Sequence, residues 1–303
     1  MKIPINVITV ILLLISITKL ISCNSDKIIT YMISIFLFFV FYSYSDKSIL
    51  EIIINISKDL GNSSVLYGST DSLSEFFLTK NISSMYFIAL YSYFLFLKKY
   101  FSKSFSLFEF VLFVLLIGLF FSRQAYLSFF ILTYIYFLYS NIKFKYKILL
   151  SIISIIIFLS IIFLIFDFHS ANDGASQRLE LWYYFFNNIK IDYLFGNGVI
   201  EMNNYLINTI GIDNYHMFFM NQIGTYGLIF FIAYNIFLII IFFNAYKTSK
   251  FTIFLILAYF LNVLFQTHGY EFQNLFLLMI SVSVINNNKG VSSVKYFNNN
   301  PNI

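Results

Sequence analysis

Long apolar segments recur along the whole chain, and this repetition narrows the available folds more than any other feature. They fall at about 3–22, 28–44, 82–97, 105–121, 124–140, 148–166, 216–243, 251–266 and 271–285. A helix needs about 20 apolar residues to cross a bilayer, where only helices and closed barrels satisfy the backbone. With 11 glycines and 2 prolines, the chain offers few of the turns that a barrel requires. We therefore predict an all-α, polytopic integral membrane bundle of about nine transmembrane helices, forming a single domain over residues 1–303.

The composition excludes several classes of protein. Hydrophobic residues make up 59% of the chain and charged residues 11%, whereas a soluble domain carries about 25% charged residues. Cys23 is the only cysteine, which excludes an intrachain disulfide and a thiolate metal cluster. No histidine and carboxylate residues recur at metal-ligand spacing. The net charge of +5 comes from lysines beside apolar segments, so it indicates membrane orientation. We predict no metal, no cofactor and no nucleic acid partner.

The lysines predict which connections face the cytoplasm. Lysine clusters near residues 19–27, 98–103, 143–147 and 247–250 and in the tail can all be placed on one side, which the positive-inside rule assigns to the cytoplasm. All acids except Asp26 and Glu109 then lie outside. This places the carboxyl terminus and a polar, disordered tail, 286–303, inside. It places two loops outside: 45–81, with a short surface helix, and the larger 167–215, where we expect the catalytic chemistry.

Both arginines of the chain fall on the predicted outer side, where positive charge does not help orientation. A lysine would anchor a helix equally well, so arginine at these positions indicates that the planar guanidinium group is needed. This group can donate two parallel hydrogen bonds to a pair of phosphate oxygens. Arg123 lies at a turn between two apolar segments, where binding to lipid headgroups is the alternative role. Arg178 falls in the first turn of a predicted helix with Ser176 as its N-cap. The positive end of that helix would itself attract an anion.

Acid–base residues of the outer loop supply candidate catalysts. Asp213 and His216 are three residues apart, so a helix would present both on one face as a pair able to take a proton from a hydroxyl group. The remaining candidate bases are carboxylates of the outer side: Asp173, Glu180, Asp192, Glu201 and Glu271.

Three short motifs occur in order between Leu112 and Phe231. They are FSRQA at 121–125; Arg178 and Trp182 followed by Gly196-Asn197-Gly198; and Asp213-Asn214, nine residues, then Gly224 and Gly227. This order resembles the O-antigen polymerase (Wzy) and O-antigen ligase superfamily. Ligase members commonly have a histidine where this chain has Asp213, and the chain is also short for the family. The difference at Asp213 favours the polymerase branch.

The resemblance implies a metal-independent glycosyltransferase of the bacterial inner (plasma) membrane that makes surface polysaccharide such as lipopolysaccharide or capsule. It would move a growing glycan from undecaprenyl diphosphate onto a lipid-linked repeat unit at the outer face. Its partners would be that lipid-linked oligosaccharide, the bilayer, and a chain-length regulator and flippase of the same pathway. Arg178 and Arg123 would bind the diphosphate, with Trp182 and Asn214 contacting substrate. His216 or Asp213 would act as the base.

Two other functions compete with the polymerase. A ligase would transfer finished glycan to another acceptor by the same chemistry. A flippase would instead carry the lipid-linked sugar across the membrane, and it should have charged residues along its path. Glu109 is the main acid within an apolar segment, and it lies near the predicted cytoplasmic end. Charge concentrated in one outer loop favours chemistry at a surface over transport.

Overall fold

The chain was analysed in a computed structural model, which describes residues 21–45, 49–58, 63–140, 145, 148, 174–187, 193–212, 215, 217–264 and 272–298. Within these ranges all regular structure is helical and no strand occurs, as the apolar pattern predicts. Two short 3₁₀ helices, Asp71–Glu75 and Lys250–Thr252, accompany the α-helices. The α-helices are α1 Ser25–Ser43, α2 Ile49–Lys58, α3 Ser63–Thr70, α4 Lys80–Tyr100, α5 Leu107–Leu119, α6 Arg123–Leu138, α7 Gly174–Asn187, α8 Val199–Ile210, α9 Phe218–Thr248, α10 Ile253–Val263 and α11 Phe272–Asn298.

Among the described residues, two helices, α1 and α9, are long and apolar enough to cross a membrane. Helices α5, α10 and the first part of α11 are apolar but shorter. The predicted segments 3–22 (apart from its last two residues) and 148–166 (apart from residue 148) lie outside the described residues. The other predicted segments coincide with α1, α4, α5, α6, α9, α10 and α11. A nine-span arrangement therefore stays a prediction.

Helices occur in two segments that were predicted to be a loop and a disordered tail. The predicted outer loop 45–81 contains the expected short helix as α2, whose 10 residues extend only about 15 Å and cannot cross a bilayer. The tail predicted to be disordered from residue 286 is helical up to Asn298. Helix α11 thus continues through polar residues with no intervening proline, and the predicted disorder of the tail stays a prediction.

Helix α4 lies at the centre of the bundle. Every residue from Ser83 to Lys98 is buried, and the helix packs against α1, α5, α6, α10 and α11. Polar side chains on α4 are paired within the bundle: the Tyr91 and Thr133 hydroxyl groups are 2.8 Å apart. By contrast, α9 exposes a stripe of large apolar side chains, among them Ile229, Ile236 and Ile240. A helix so apolar on its exposed side favours contact with lipid rather than water.

Ion pairs hold one end of the bundle, which we call the Asp26 end. Lys98 lies 2.7 Å from Glu109 and 3.2 Å from Asp26, and Lys103 lies 2.6 Å from Asp26. Glu109 also forms a capping box with Ser106 at the start of α5. Asp26 and Glu109 are the two acids that break the predicted charge pattern, and the pairing explains why they lie among lysines.

The opposite end of the bundle, which we call the Arg123 end, is held by polar contacts around the turn between α5 and α6. The Tyr44 hydroxyl donates to the Leu119 carbonyl over 2.9 Å, and the Ser122 hydroxyl donates to Asn81 Oδ1 over 3.0 Å. The Gln124 amide donates to the Leu261 carbonyl over 3.3 Å. The ends of α1, α5 and α10 thus lie beside the starts of α4 and α6, as alternating antiparallel packing requires.

Candidate functional site: an interlocked glycine loop and a cationic bundle end

The two glycine motifs singled out in the sequence contact each other directly. Helix α9 breaks at Gly227, whose φ of 87° and ψ of 164° lie outside the helical region. The segment 193–198 lies against this break and hydrogen bonds to it from both sides. Asn197 N donates to the Gly224 carbonyl over 3.0 Å, and Gly198 N donates to the Thr225 carbonyl over 2.9 Å. In return, Leu228 N donates to the Tyr193 carbonyl over 2.6 Å. The loop therefore supplies partners for backbone groups that the broken helix cannot pair internally.

Only glycine fits at the centre of this interlock. A Cβ on Gly196 would lie 2.5 Å from Gly227 N, and a Cβ on Gly227 would lie 2.4 Å from the Leu194 carbonyl oxygen. Gly224 faces the Met202 side chain of α8, with its Cβ position 2.8 Å from Met202 Cε. Gly224 thus allows α8 and α9 to approach each other closely. The close approach of Gly227 is to an extended loop, which brings two backbones together.

Beside this interlock, α7, α8 and the first turn of α9 form a second hydrophobic unit, which we call the loop cluster. Its buried members are Leu181, Phe185, Met202, Leu206, Tyr215 and Met220. Adjacent Phe218 belongs instead to the core of the bundle, so the start of α9 joins the two units. Tyr215 is anchored to the same helix, since its backbone N–H donates to Asn221 Oδ1 over 2.9 Å. The described residues of the loop cluster are therefore held on the bundle through α9.

Trp182 and Tyr215 present unpaired polar atoms inside the loop cluster. Trp182 Nε1 and the Tyr215 hydroxyl are buried and have no hydrogen-bond partner among the described residues. Leaving such a group unpaired costs about 1–3 kcal/mol, so each favours a water or a substrate hydroxyl group beside it. The hydroxyl groups of Tyr184 and Tyr205 lie 3.1 Å apart, and this hydrogen bond, with burial, raises the pKa of Tyr205 to about 12. Tyr205 is therefore a neutral hydrogen-bonding group rather than a base at physiological pH.

A cleft of about 1030 Å³ opens beside the loop cluster between α7 and the end of α8. Tyrosines, an acid and an amide share its wall with aliphatic side chains, a mixture that suits the faces and hydroxyl groups of sugars. In the chain, Arg178 comes directly before the wall residue Leu179, and Asp213 directly after Ile212. The lining residues are Leu179, Glu180, Leu181, Tyr183, Tyr184, Asn187, Ile210 and Ile212.

Arg123 begins α6 at the Arg123 end, next to a lysine that the sequence interpretation did not assign to the site. Lys80, the first residue of α4, is 5% exposed, and its Nζ donates to the Phe121 carbonyl over 3.4 Å. Burial and the nearby charge of Arg123 lower the pKa of Lys80 to about 8. Phe121 has a φ of 49°, which strains a non-glycine residue and turns the chain sharply before Arg123. Two cationic side chains thus converge on one turn.

The structure describes some of the predicted site residues. Arg123 lies at the Arg123 end and Trp182 in the loop cluster. The side chain of Arg178, within α7, and the residues Asp213, Asn214 and His216 lie outside the described residues. Helix α7 begins at Gly174, so the predicted N-cap at Ser176 is wrong and Arg178 lies beyond the first turn. The roles predicted for Arg178, Asp213, Asn214 and His216 stay predictions.

Lys80 is a buried lysine at the Arg123 end that sequence reasoning did not single out, although a signal was present. It is one of the few lysines on the predicted outer side and directly precedes an apolar segment. In the described part of the chain, no group of three histidine, cysteine or acidic residues is placed to hold a metal ion.

Comparison with known proteins found no matching family model, no similar curated protein and no similar solved structure. What the chain does must therefore be inferred from its own residues and their geometry.

Proposed function

We propose that the protein is a surface-polysaccharide polymerase of the O-antigen polymerase type. It transfers a growing glycan from undecaprenyl diphosphate onto a lipid-linked repeat unit at the outer face of the bacterial inner membrane. The observation that carries this proposal is the interlock between Gly196-Asn197-Gly198 and Gly224–Gly227. Two motifs that the resemblance names separately pack as one unit, which holds the outer loop on the bundle.

Group transfer breaks the bond between the anomeric carbon of the donor glycan and its diphosphate. It forms a new bond from that carbon to a hydroxyl oxygen of the acceptor sugar, whose proton passes to a base. Arg178 and Arg123 stabilise the charge that develops on the departing diphosphate, since fixed donors at a leaving group favour the transition state. His216 or Asp213 takes the proton. No metal ion is needed in this scheme, because arginine forks neutralise the diphosphate.

The acceptor glycan fits the cleft beside the loop cluster. Tyr183 and Tyr184 supply aromatic faces, and Glu180 and Asn187 supply hydrogen-bonding groups. Trp182 Nε1, which has no partner among the described residues, is a further donor for a sugar hydroxyl. A site with these features agrees with transfer between sugars more than with transport.

The contacts of Glu109 speak against the flippase alternative. Its carboxylate pairs with Lys98 over 2.7 Å and caps the start of α5 through Ser106. A residue that binds cargo along a path through the membrane would have to exchange these partners. Glu109 is better understood as part of the ion-pair network at the Asp26 end.

The first experiment is a gel of lipid-linked and surface glycan from cells that lack the protein. Loss of a polymerase collapses the ladder to a single repeat unit on the final acceptor. Full-length glycan retained on the carrier lipid would show a ligase. Single repeats trapped at the cytoplasmic face would show a flippase.

Two further experiments test the site and the orientation. Arg178→Lys keeps the charge but removes the fork, and we expect the ladder to shorten or disappear; a normal ladder would contradict the diphosphate role of Arg178. A cysteine introduced at Asn187 should react with a membrane-impermeant thiol reagent in intact cells whose outer membrane has been made permeable. The matched control is a cysteine at Lys247, which should not react. Failure to label the cysteine at Asn187 while that at Lys247 reacts would place the loop in the cytoplasm and overturn the scheme.

A further inference from the structure

Helix α9 is divided by its break at Gly227, and the part after the break has the length of a membrane span. It extends about 30 Å, which matches the thickness of the hydrocarbon core of a bilayer. No charged residue occurs between Gly227 and Lys247. Large apolar side chains are exposed over most of this length, from Ile229 to Phe243. This part of α9 therefore suffices to cross the bilayer alone, so the break lies at the level where the hydrocarbon begins.

The loop at residues 193–198, which we call the glycine loop, is fixed at the same level. Leu228 N donates to the Tyr193 carbonyl over 2.6 Å, and Ile229 N donates to the Leu194 carbonyl over a longer distance of 3.5 Å. Both donors belong to the first turn after the break. Because a hydrogen bond holds its two residues in direct contact, the glycine loop lies beside the first turn of the span rather than further out in water.

The glycine loop and the first residues of α8 expose four large apolar side chains, which we call the glycine-loop patch: Leu194, Phe195, Val199 and Ile200. Phe195 is 72% exposed and Ile200 is 77% exposed. No charged residue occurs from residue 193 to residue 200. Single exposed apolar residues are common on any protein, whereas a group of them marks a surface that contacts a partner or a membrane. The patch therefore indicates an apolar neighbour.

Helix α8 continues the patch on one side and is polar on another. Ile207 is exposed and lies seven residues after Ile200, so both are on the same side of the helix. Glu201 and Asn208 are exposed about 100° further round, with Asn204 between the two sides. The remaining side is buried in the loop cluster. A helix with one apolar and one polar exposed side is typical of helices that lie in the interface between membrane and water.

We propose that the glycine-loop patch is a membrane-docking surface, inserted at the boundary between lipid headgroups and acyl chains. Two observations favour the bilayer over a second protein as the occupant. The patch is continuous, through the hydrogen bonds from Leu228 and Ile229, with the exposed apolar side of α9. Its depth, which follows from the length of the span, is also that of the boundary itself. The inference uses no glycan chemistry, so it does not rest on the proposed function.

Spin labels test the position of the patch in the full chain in nanodiscs of phosphatidylcholine. Cys23→Ser removes the only cysteine, and Phe195→Cys or Ile200→Cys then carries the label. Both positions are exposed, so neither label displaces a buried side chain. Oxygen concentrates in hydrocarbon and a polar nickel complex stays in water, so collisions with the two reagents report the surroundings of each label. Asn208→Cys is the matched control, on the polar side of the same helix.

We expect the ratio of oxygen to nickel collisions at Phe195 and Ile200 to exceed the ratio at Asn208 several-fold. A further label, at Phe237→Cys, is exposed in the middle of the span and gives the value for lipid. A ratio at the patch no higher than that at Asn208 would place the patch in water and overturn the proposal. A water-like ratio at Phe237 would remove the span from which the depth is derived, and the proposal with it.

A second copy of the chain, or another protein, on the patch would give a different result. The labels would then collide rarely with both reagents, and this outcome would also overturn the proposal. Dipolar broadening that disappears on dilution with unlabelled chain would identify the cover as a second copy. The glycan gel is read separately. A normal ladder in cells without the protein would end the polymerase proposal and leave the docking result unchanged.

Discussion

Replacing Gly227 by alanine tests the interlock that positions the outer loop. The new Cβ would lie 2.4 Å from the Leu194 carbonyl oxygen and 2.5 Å from the Phe195 carbonyl carbon. Both neighbours are backbone atoms, so no side-chain rotation relieves the contact, and the loop must move away from α9. The backbone at Gly227 also has a conformation that alanine rarely adopts.

The cost can be estimated from the contacts that would be lost. Moving the loop breaks four backbone hydrogen bonds: three short ones, from Asn197, Gly198 and Leu228, and a fourth from Ile229 to the Leu194 carbonyl that is 3.5 Å long and is left out of the sum. At a net value of about 1 kcal/mol each, their loss destabilises the docked loop by about 3 kcal/mol. The strained φ and ψ add a further ~1–3 kcal/mol. A tenfold change in population corresponds to about 1.4 kcal/mol. The loss of about 3 kcal/mol in hydrogen bonds alone should therefore raise the fraction of molecules with the loop detached from α9 about a hundredfold.

Hydrogen exchange of the protein in nanodiscs measures this opening directly. Peptides covering residues 193–198 and 224–229 should exchange much faster in Gly227→Ala. The matched control is Gly198→Ala: Gly198 has nearly the same backbone, φ 78° and ψ 160°, but nothing lies within 4 Å of its Cβ position. It isolates the conformational strain, so Gly227→Ala should exchange about a hundredfold faster than the control. Equal exchange in the two variants would refute the steric interlock.

Three further predictions concern other parts of the chain. Asp26→Asn leaves Lys98 and Lys103 near each other without their shared carboxylate. The free energy of unfolding should therefore fall by about 3 kcal/mol, and the melting temperature with it. An unchanged melting temperature would show that the Asp26 end does not stabilise the bundle. Because the folded protein holds the pKa of Lys80 at about 8, below its ordinary value of 10.5, the unfolded chain binds more protons between these values. Stability of the unmodified protein relative to Lys80→Met should therefore rise with pH in that window, and a falling difference would contradict the burial of the charged amine. Trp182→Phe keeps an aromatic ring in the loop cluster but removes part of the indole ring together with its N–H, which has no partner among the described residues. We expect a small fall in melting temperature and a clear shortening of the glycan ladder. An unchanged ladder would remove Trp182 from the substrate site.

The sequence predicted the helical class and the positions of most helices. Apolar segments of this length leave the backbone no alternative to helix in a bilayer, and this is a local property that needs no knowledge of contacts. The turn at Gly196 was also indicated by residue type, since a glycine there can adopt a positive φ. The sequence did not predict that α11 would continue to Asn298, since polar composition alone does not end a helix.

Only the tertiary structure decided which of these local features meet. The loop at Gly196 and the break at Gly227 are far apart in the chain, and their close approach depends on atoms from both. Likewise, nothing in the neighbourhood of Lys80 or Lys98 in the sequence distinguishes a lysine beside another cation from one held between two acids. Sequence patterns limit what each segment can form, because backbone pairing and hydrophobicity act locally. Burial, charge pairing and steric fit arise between segments, so they are determined only when the chain folds.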